Sequence, residues 1–225
     1  MSKGIFITGT DTGIGKTRFT LALMTALKNQ GHQVSGMKPI ASGARLKNGR
    51  IINEDAELIM RYCSKSTDYH LINPAVFELA VAPHIASSKK NEKIDLNQII
   101  ACYRELASNS RNVIVEGVGG WRVPLSNKES LVDLVRSLEL PVIMVVGLKL
   151  GCINHALLTA EAIKADGLIL KGWVSNRLDK DYLFHEETIE TIKAALECPH
   201  IADLPYMVNF EPDKLFENID LSDIS

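Results

Sequence analysis

An open, mostly parallel β-sheet with helices on both faces is the fold class this sequence predicts. Short β-branched apolar runs alternate with helical patterns along the chain, the arrangement of strands buried on both faces and joined by crossover helices. The first run, Gly4-Ile5-Phe6-Ile7-Thr8, leads through a glycine-rich turn into a helical stretch, Phe19 through Leu27. No internal repeat, low-complexity tract or Pro/Gly linker divides the 225 residues, so one α/β domain spanning 1–225 is expected.

Strands are expected at Ile5–Thr8, Val34–Lys38, Val113–Glu116, Val142–Gly147 and Leu168–Ser175, each a short apolar run. Helices are expected at Thr20–Asn29, Glu54–Tyr62, Leu96–Ala107, Leu131–Leu138, Asn154–Ala165 and His185–Leu196. In Leu96–Ala107 the apolar residues Ile99, Ile100, Tyr103, Leu106 and Ala107 recur at helical spacing around Arg104 and Glu105. The irregular stretch Thr67–Lys93 reads equally well as a lid or substrate loop and as a surface connection. The acidic tail after Met207, from about residue 210, is expected to be partly disordered at its end.

The turn Gly9-Thr10-Asp11-Thr12-Gly13-Ile14-Gly15-Lys16-Thr17 has the chemistry of a polyphosphate site. Between strand and helix, successive backbone N–H groups converge on an anion, and the helix start adds its partial positive charge. Lys16 then reaches the β/γ-phosphates, and the Thr17 hydroxyl can ligate Mg²⁺. The expected architecture is therefore of the P-loop NTPase type. Five residues separate Gly9 from Gly15, so the four-spacer register starts at Thr10. Some dimeric P-loop ATPases place a second lysine five residues before the invariant one; here Asp11 stands there. An acid cannot neutralise a γ-phosphate, which argues against a lysine-finger ATPase of the partitioning type.

Composition narrows the partners. A formal charge of −2 gives no support for a nucleic-acid partner. The longest apolar runs, such as Leu140 to Leu148, are far short of a membrane span, and the N-terminus lacks the layout of a secretory signal. Cys63, Cys102, Cys152 and Cys198 are scattered without a Cys-x-x-Cys pair, which fits reduced thiols in a cytoplasmic protein.

Ligands of open parallel sheets bind at the carboxyl ends of the strands, so the residues that follow each strand are candidates. Val113-Ile114-Val115-Glu116 ends in a carboxylate that can hold a metal beside the phosphate loop, and Gly117-Val118-Gly119-Gly120 follows. Asn53-Glu54-Asp55 opens a helix, where capping and dipole compensation account for all three, yet a second metal carboxylate is also wanted there. Lys38 ends the second strand before Pro39; by composition it is a solvated lysine, although the proline helps aim its ammonium. Ser42 and Gly43 follow closely and offer a hydroxyl and close backbone approach. Asn176 ends the last strand with an amide that matches a purine edge. Asn176-Arg177-Leu178-Asp179 also resembles a guanine motif, so residues alone leave GTP open.

With these pieces in order, the chain closely resembles the dethiobiotin synthetase family over nearly its whole length. The resemblance rests on the phosphate loop and on Lys38-Pro39-Ile40-Ala41-Ser42-Gly43, Val115-Glu116-Gly117-Val118-Gly119-Gly120-Trp121, Lys149-Leu150-Gly151-Cys152-Ile153-Asn154-His155 and Gly172-Trp173-Val174-Ser175-Asn176. It implies an ATP-dependent cyclo-ligase that converts 7,8-diaminopelargonate and CO₂ to dethiobiotin, ADP and phosphate, with Mg²⁺. It further implies that Lys16 and Thr17 bind phosphate and metal, that Asp55 and Glu116 complete the metal sphere, and that Lys38 bridges carbamate and γ-phosphate. Nucleotide contacts would come from Thr12, Gly13, Ile14, Gly15, Arg18, Gly117, Val118 and Gly119, with Asn176, Arg177, Pro205, Tyr206 and Met207 at the base. Ser42 would touch the substrate, and Gly151, Cys152, Ile153 and Asn154 of a second subunit would receive its carboxylate, making a homodimer functional. Arg122-Val123 after Trp121 and the sequence after Asn176 depart from the family pattern. Two rivals stand beside this reading: another amide- or carbamate-forming P-loop ligase, and a nucleotide-switched regulatory ATPase.

Overall fold

The computed structural model describes residues 3–215 and 219–222. Strand β1 (Lys3–Gly9) feeds helix α1 (Lys16–Asn29), and β2 (Val34–Met37) follows. Then come β3 (Ile40–Ala41), a hairpin of β4 (Arg45–Lys47) and β5 (Arg50–Ile52), α2 (Glu54–Tyr62), α3 (Tyr69–Ile72), β6 (Ala75–Val76), α4 (Pro83–Lys90) and α5 (Leu96–Asn109). The second half runs β7 (Asn112–Glu116), α6 (Leu131–Leu138), β8 (Val142–Leu148), α7 (Cys152–Ala165), β9 (Leu170–Arg177), α8 (His185–Ala195) and β10 (His200–Leu204).

Six strands form one all-parallel sheet in the order β10-β9-β8-β1-β7-β2. Burial explains the composition: every residue of β2, β7 and β8 is buried, so both faces must be apolar and the strands read as unbroken runs. Phe6 and Ile7 in β1 are fully buried, each stabilising the core by about 1.5–3 kcal/mol on transfer from water. A smaller cluster, with Met144, Val146 and Trp173, packs against α7 and α8. β1 lies mid-sheet; α1 carries the chain to edge strand β2, and the return through β7 pairs Ile7 with Glu116. The crevice at the ends of β1 and β7 is thus the switch point where such sheets bind ligands.

The five expected strands all occur, with β9 running two residues past Ser175 to Arg177. β10 was not among them. His200 and Asp203 break its apolar pattern because it is an edge strand. α1 begins at Lys16, four residues before the expected start, because the phosphate-loop residues themselves make its first turn. Thr67–Lys93 contains α3, β6 and α4. The tail packs back: Leu215 and Ile219 are buried in the core, and the Asp220 N–H donates to the Ile201 carbonyl at 3.0 Å. The tail expected to be partly disordered from about residue 210 includes 216–218 and 223–225, which lie outside the described residues.

Candidate active site

Two helices begin on left-handed glycines without a side-chain cap and without an acid in the first turn: α1 after Gly15 and α7 after Gly151. Their positive dipole ends are left without a side-chain anion, although the first N–H of α7, that of Cys152, already donates to the Lys149 carbonyl at 3.0 Å. Gly15 is required twice over. Its φ of +94° suits glycine, and a Cβ there would lie 2.1 Å from Nδ2 of Asn176. By contrast, α2 is capped by Asn53, whose Oδ1 accepts from the Ala56 N–H at 3.2 Å. Capping therefore falls to Asn53 and leaves the Asp55 carboxylate for the site.

Lys16 is 7% exposed, and its ammonium donates to the carbonyls of Asp11 (2.8 Å) and Gly119 (2.7 Å). Burial, with the nearby Lys38 charge adding to it, lowers its pKa to about 8. Lys38, far from being a solvated lysine, is 5% exposed. Its ammonium donates to Glu116 Oε1 and to Asp55 Oδ2, the latter at 3.1 Å. Burial opposes this charge, but the Glu116 and Asp55 carboxylates outweigh it and hold the pKa above the usual lysine value. Thr17 Oγ1 also donates to Glu116 Oε1, at 2.8 Å, while Oε2 of Glu116 is buried without a hydrogen-bond partner among the described residues.

That arrangement fits a hard divalent cation. An unsatisfied buried carboxylate oxygen costs free energy, and together with the Thr17 hydroxyl and the half-exposed Asp55 it makes an all-oxygen donor set of the kind Mg²⁺ takes. We predict that Glu116→Gln raises the Mg²⁺ concentration needed for half-maximal rate by at least about tenfold, the scale on which weakened ligand sets lose metal. Asp55→Asn should do so less, its carboxylate being half in solvent. Unchanged Mg²⁺ titrations in both variants would return these acids to structural roles.

These groups open onto a cavity of about 800 Å³ that Thr12, Gly13, Ser42, Gly119 and Arg122 also line. Ser42 Oγ is buried without a hydrogen-bond partner among the described residues. Ala80, Val81, Ala82 and Pro83, from the stretch with two readings, form another wall. Gly151, Cys152, Ile153 and Asn154 are not among the residues around this cavity. The loop before them is tied to the phosphate loop instead. Lys149 Nζ lies 2.8 Å from Asp11 Oδ2, and this contact, with the Thr12 N–H, holds the Asp11 carboxyl below its usual range.

At the far side of the phosphate loop, Asn176 pairs in register with Gly147 and Leu204. Its Nδ2 donates to the Ile14 carbonyl at 2.8 Å, which fixes the amide's orientation, and its Oδ1 is buried without a partner among the described residues. Pro205, Tyr206 and Met207 leave β10 beside it, and Arg18 Nη2 donates to the Met207 carbonyl at 3.0 Å. Arg177 is bound to Asp203 at 2.8 Å. Sequence reasoning missed what pins this edge. Ser175 Oγ donates to Asp203 Oδ1 (2.7 Å) and contacts His200 Nε2 (2.9 Å), and burial pushes His200 down to about 4, so the ring is neutral. No local pattern signals contacts between residues 25 and more positions apart.

A family model described as an AAA domain matches residues 3–214. The chain is 42% identical over 216 residues to the ATP-dependent dethiobiotin synthetase BioD of Aromatoleum aromaticum, covering 96% of each. It is 43% identical over 224 residues to the synthetase of the same name from Nitrosospira multiformis, covering all of this chain and 97% of that one. Among solved structures, MinD of Pyrococcus horikoshii superposes with a TM-score of 0.56 at 16% identity, over 97% of this chain and 87% of that one. A ParA family ATPase of Chlorobium tepidum gives 0.56 at 15%, over 92% and 86%. These two share the fold. The near-complete alignments, taken with a phosphate loop facing two acids and a buried lysine, place the chain in the ATP-dependent dethiobiotin synthetase family.

Proposed function

We propose that this protein is an ATP-dependent ligase that closes the ureido ring of dethiobiotin from 7,8-diaminopelargonate and CO₂, releasing ADP and phosphate. The observation that carries the reading is Lys38, buried against Glu116 and Asp55 on the wall of the cavity that the phosphate loop also lines. The reaction brings two anions together, a carbamate on one substrate amine and the γ-phosphate of ATP. Lys16 meets the phosphates, and Lys38 offsets the repulsion where the carbamate oxygen attacks. The second amine then closes on the carbamate carbon as phosphate departs. Holding both amines near one carbon, with Ser42 among the contacts, removes most of the entropic barrier to that step.

Thr17, Asp55 and Glu116 would hold Mg²⁺, which when bound neutralises β- and γ-phosphate oxygens. The N–H groups of Gly13, Ile14 and Gly15 take the phosphates, with Thr12, Arg18, Gly117, Val118 and Gly119 around them. At the base, Asn176 has its donor committed to Ile14 and only an acceptor left. The exocyclic amine of adenine satisfies that acceptor, while guanine presents a carbonyl oxygen to it. The mismatch costs about 1–3 kcal/mol. Arg177, Pro205, Tyr206 and Met207 border the same edge.

The substrate carboxylate is proposed to rest on Gly151, Cys152, Ile153 and Asn154 of a second copy, in a homodimer acting in the cytoplasm on small molecules without nucleic acid. Leu150 and Leu158 at α7, and Leu183 and Phe184 before α8, are large exposed apolar side chains that a second copy would cover. Among the described residues no helix is long and apolar enough to cross a membrane. In this reading residues 1–225 work as one domain.

The test is ADP release with product mass measured, in ATP and in GTP. Release that requires both diamine and bicarbonate, yields dethiobiotin, and falls with GTP supports the reading. Hydrolysis indifferent to diamine and bicarbonate would overturn it in favour of a switch.

A further inference from the structure

Asp166, the residue that ends α7, is bound to more of the molecule than a helix terminus requires. Its side chain is 9% exposed. The Trp121 indole Nε1 donates to Oδ2 at 2.8 Å, and Arg122 Nη1 lies 3.0 Å from the same carboxylate. Arg136 of α6 donates to Oδ1 at 3.2 Å and, from Nε and Nη2, to the backbone carbonyl at 3.0 and 2.8 Å. Two helices and one loop therefore meet on one carboxylate.

The loop is the one that matters to the site. It starts at Gly117, supplies the Gly119 carbonyl that holds Lys16, and forms one wall of the cavity through Arg122, Val123 and Pro124. Ahead of the anchor, this loop has glycines at 117, 119 and 120, and Gly119 sits at φ +63°. Three glycines give a backbone with little stiffness of its own, so its course depends on what the next residues are fastened to. Trp121 is 3% exposed, and the N–H of its indole is satisfied by Asp166. Arg122 brings a formal charge to this wall, and Asp166 both neutralises and directs it. Left free beside a substrate that carries two amines, that guanidinium would repel it.

We propose that Asp166 is a positioning residue for the diamine half of the reaction: without lining the cavity, it fixes, through Trp121 and Arg122, the start of the wall that continues to Val123 and Pro124. The inference rests on the proposed ligase activity. It weighs more on the diamine than on the nucleotide, because Asp166 bonds Trp121 and Arg122 directly, reaches Lys16 only by way of Gly119, and has no bond to the phosphate-loop N–H groups.

The experiment compares the parent with Asp166→Ala, Asp166→Asn and Trp121→Phe. Calorimetric titration measures 7,8-diaminopelargonate and ATP separately, and steady-state rates are taken below each variant's melting point. Asp166→Ala should weaken diamine binding and lower kcat/KM for the diamine by between about tenfold and a hundredfold, the range for a wall misplaced by around 1 Å. ATP affinity should stay within about twofold. Asp166→Asn retains an oxygen for Trp121 but no charge for Arg122, so it should recover part of the loss. Trp121→Phe removes the same bond from the loop side while keeping an aromatic ring, so it decides the matter if Asp166→Ala fails to fold. A folded Asp166→Ala or Trp121→Phe with unchanged diamine affinity would overturn the proposal, as would equal losses for diamine and ATP. Failure of the parent to bind the diamine at all would instead count against the ligase reading.

Discussion

Lys16→Ala is expected to lose turnover by on the order of 10³-fold or more, because an uncompensated γ-phosphate raises the barrier by several kcal/mol. The fold should survive. The Lys16 ammonium is held by two carbonyls, and burial makes its charge a burden on the free protein, as the pKa of about 8 records. Removing it deletes a desolvated cation, so the melting temperature should hold or rise. The same value gives a second readout. Below pH 8 Lys16 is protonated with or without nucleotide; above it the free protein gives up the proton, and a bound γ-phosphate restores it. ATP binding near pH 9 should therefore take up a proton, measurable as a dependence of binding heat on the buffer's ionisation enthalpy, and Lys16→Ala should abolish that uptake. Near-normal turnover in a folded variant would sink the phosphate-loop assignment.

Lys38→Gln should lower the saturated rate by on the order of 10²–10³-fold while leaving ATP affinity nearly unchanged, because its charge acts where carbamate meets phosphate. A stability cost accompanies the rate loss. Breaking a buried pair typically costs about 3–5 kcal/mol, since Glu116 is left charged and buried. Glutamine keeps a donor and softens that loss, and added Mg²⁺ should restore part of the melting temperature by replacing the missing cation. Single-turnover rates and nucleotide titrations, with melting curves in and out of Mg²⁺, separate the effects. If ATP affinity collapsed while the saturated rate stayed normal, Lys38 would be a nucleotide-binding residue and the proposed role would be wrong.

Legibility in the sequence followed the range of the interaction. The phosphate loop is a local device, so its nine residues carried strand, turn, helix and chemistry together, and the central parallel strands were visible because double-sided burial makes each a continuous apolar run. Lys38 was ambiguous. Its character comes from Glu116, 78 positions later, and from Asp55 on another element. The family resemblance singled it out, and the fold then supplied the physical reason. Asp55 was ambiguous for the converse reason, since a helix-opening acid has a sufficient local explanation until Asn53 is seen to hold the cap. β10 and Asp166 were missed, the first because edge strands tolerate polar residues, the second because its side-chain bonds run to residues at least 30 positions away.

The most direct test of the central claim follows oxygen. In the proposed reaction a carbamate oxygen derived from CO₂ becomes the bridge to phosphorus and leaves with the phosphate, while the other CO₂ oxygen stays in the ureido carbonyl. With C¹⁸O₂ supplied faster than it exchanges with water, mass spectrometry should find one ¹⁸O in each released phosphate and one in the ring carbonyl. Phosphate whose new oxygen comes from water, in turnovers that still depend on the diamine, would contradict attack by the carbamate on ATP.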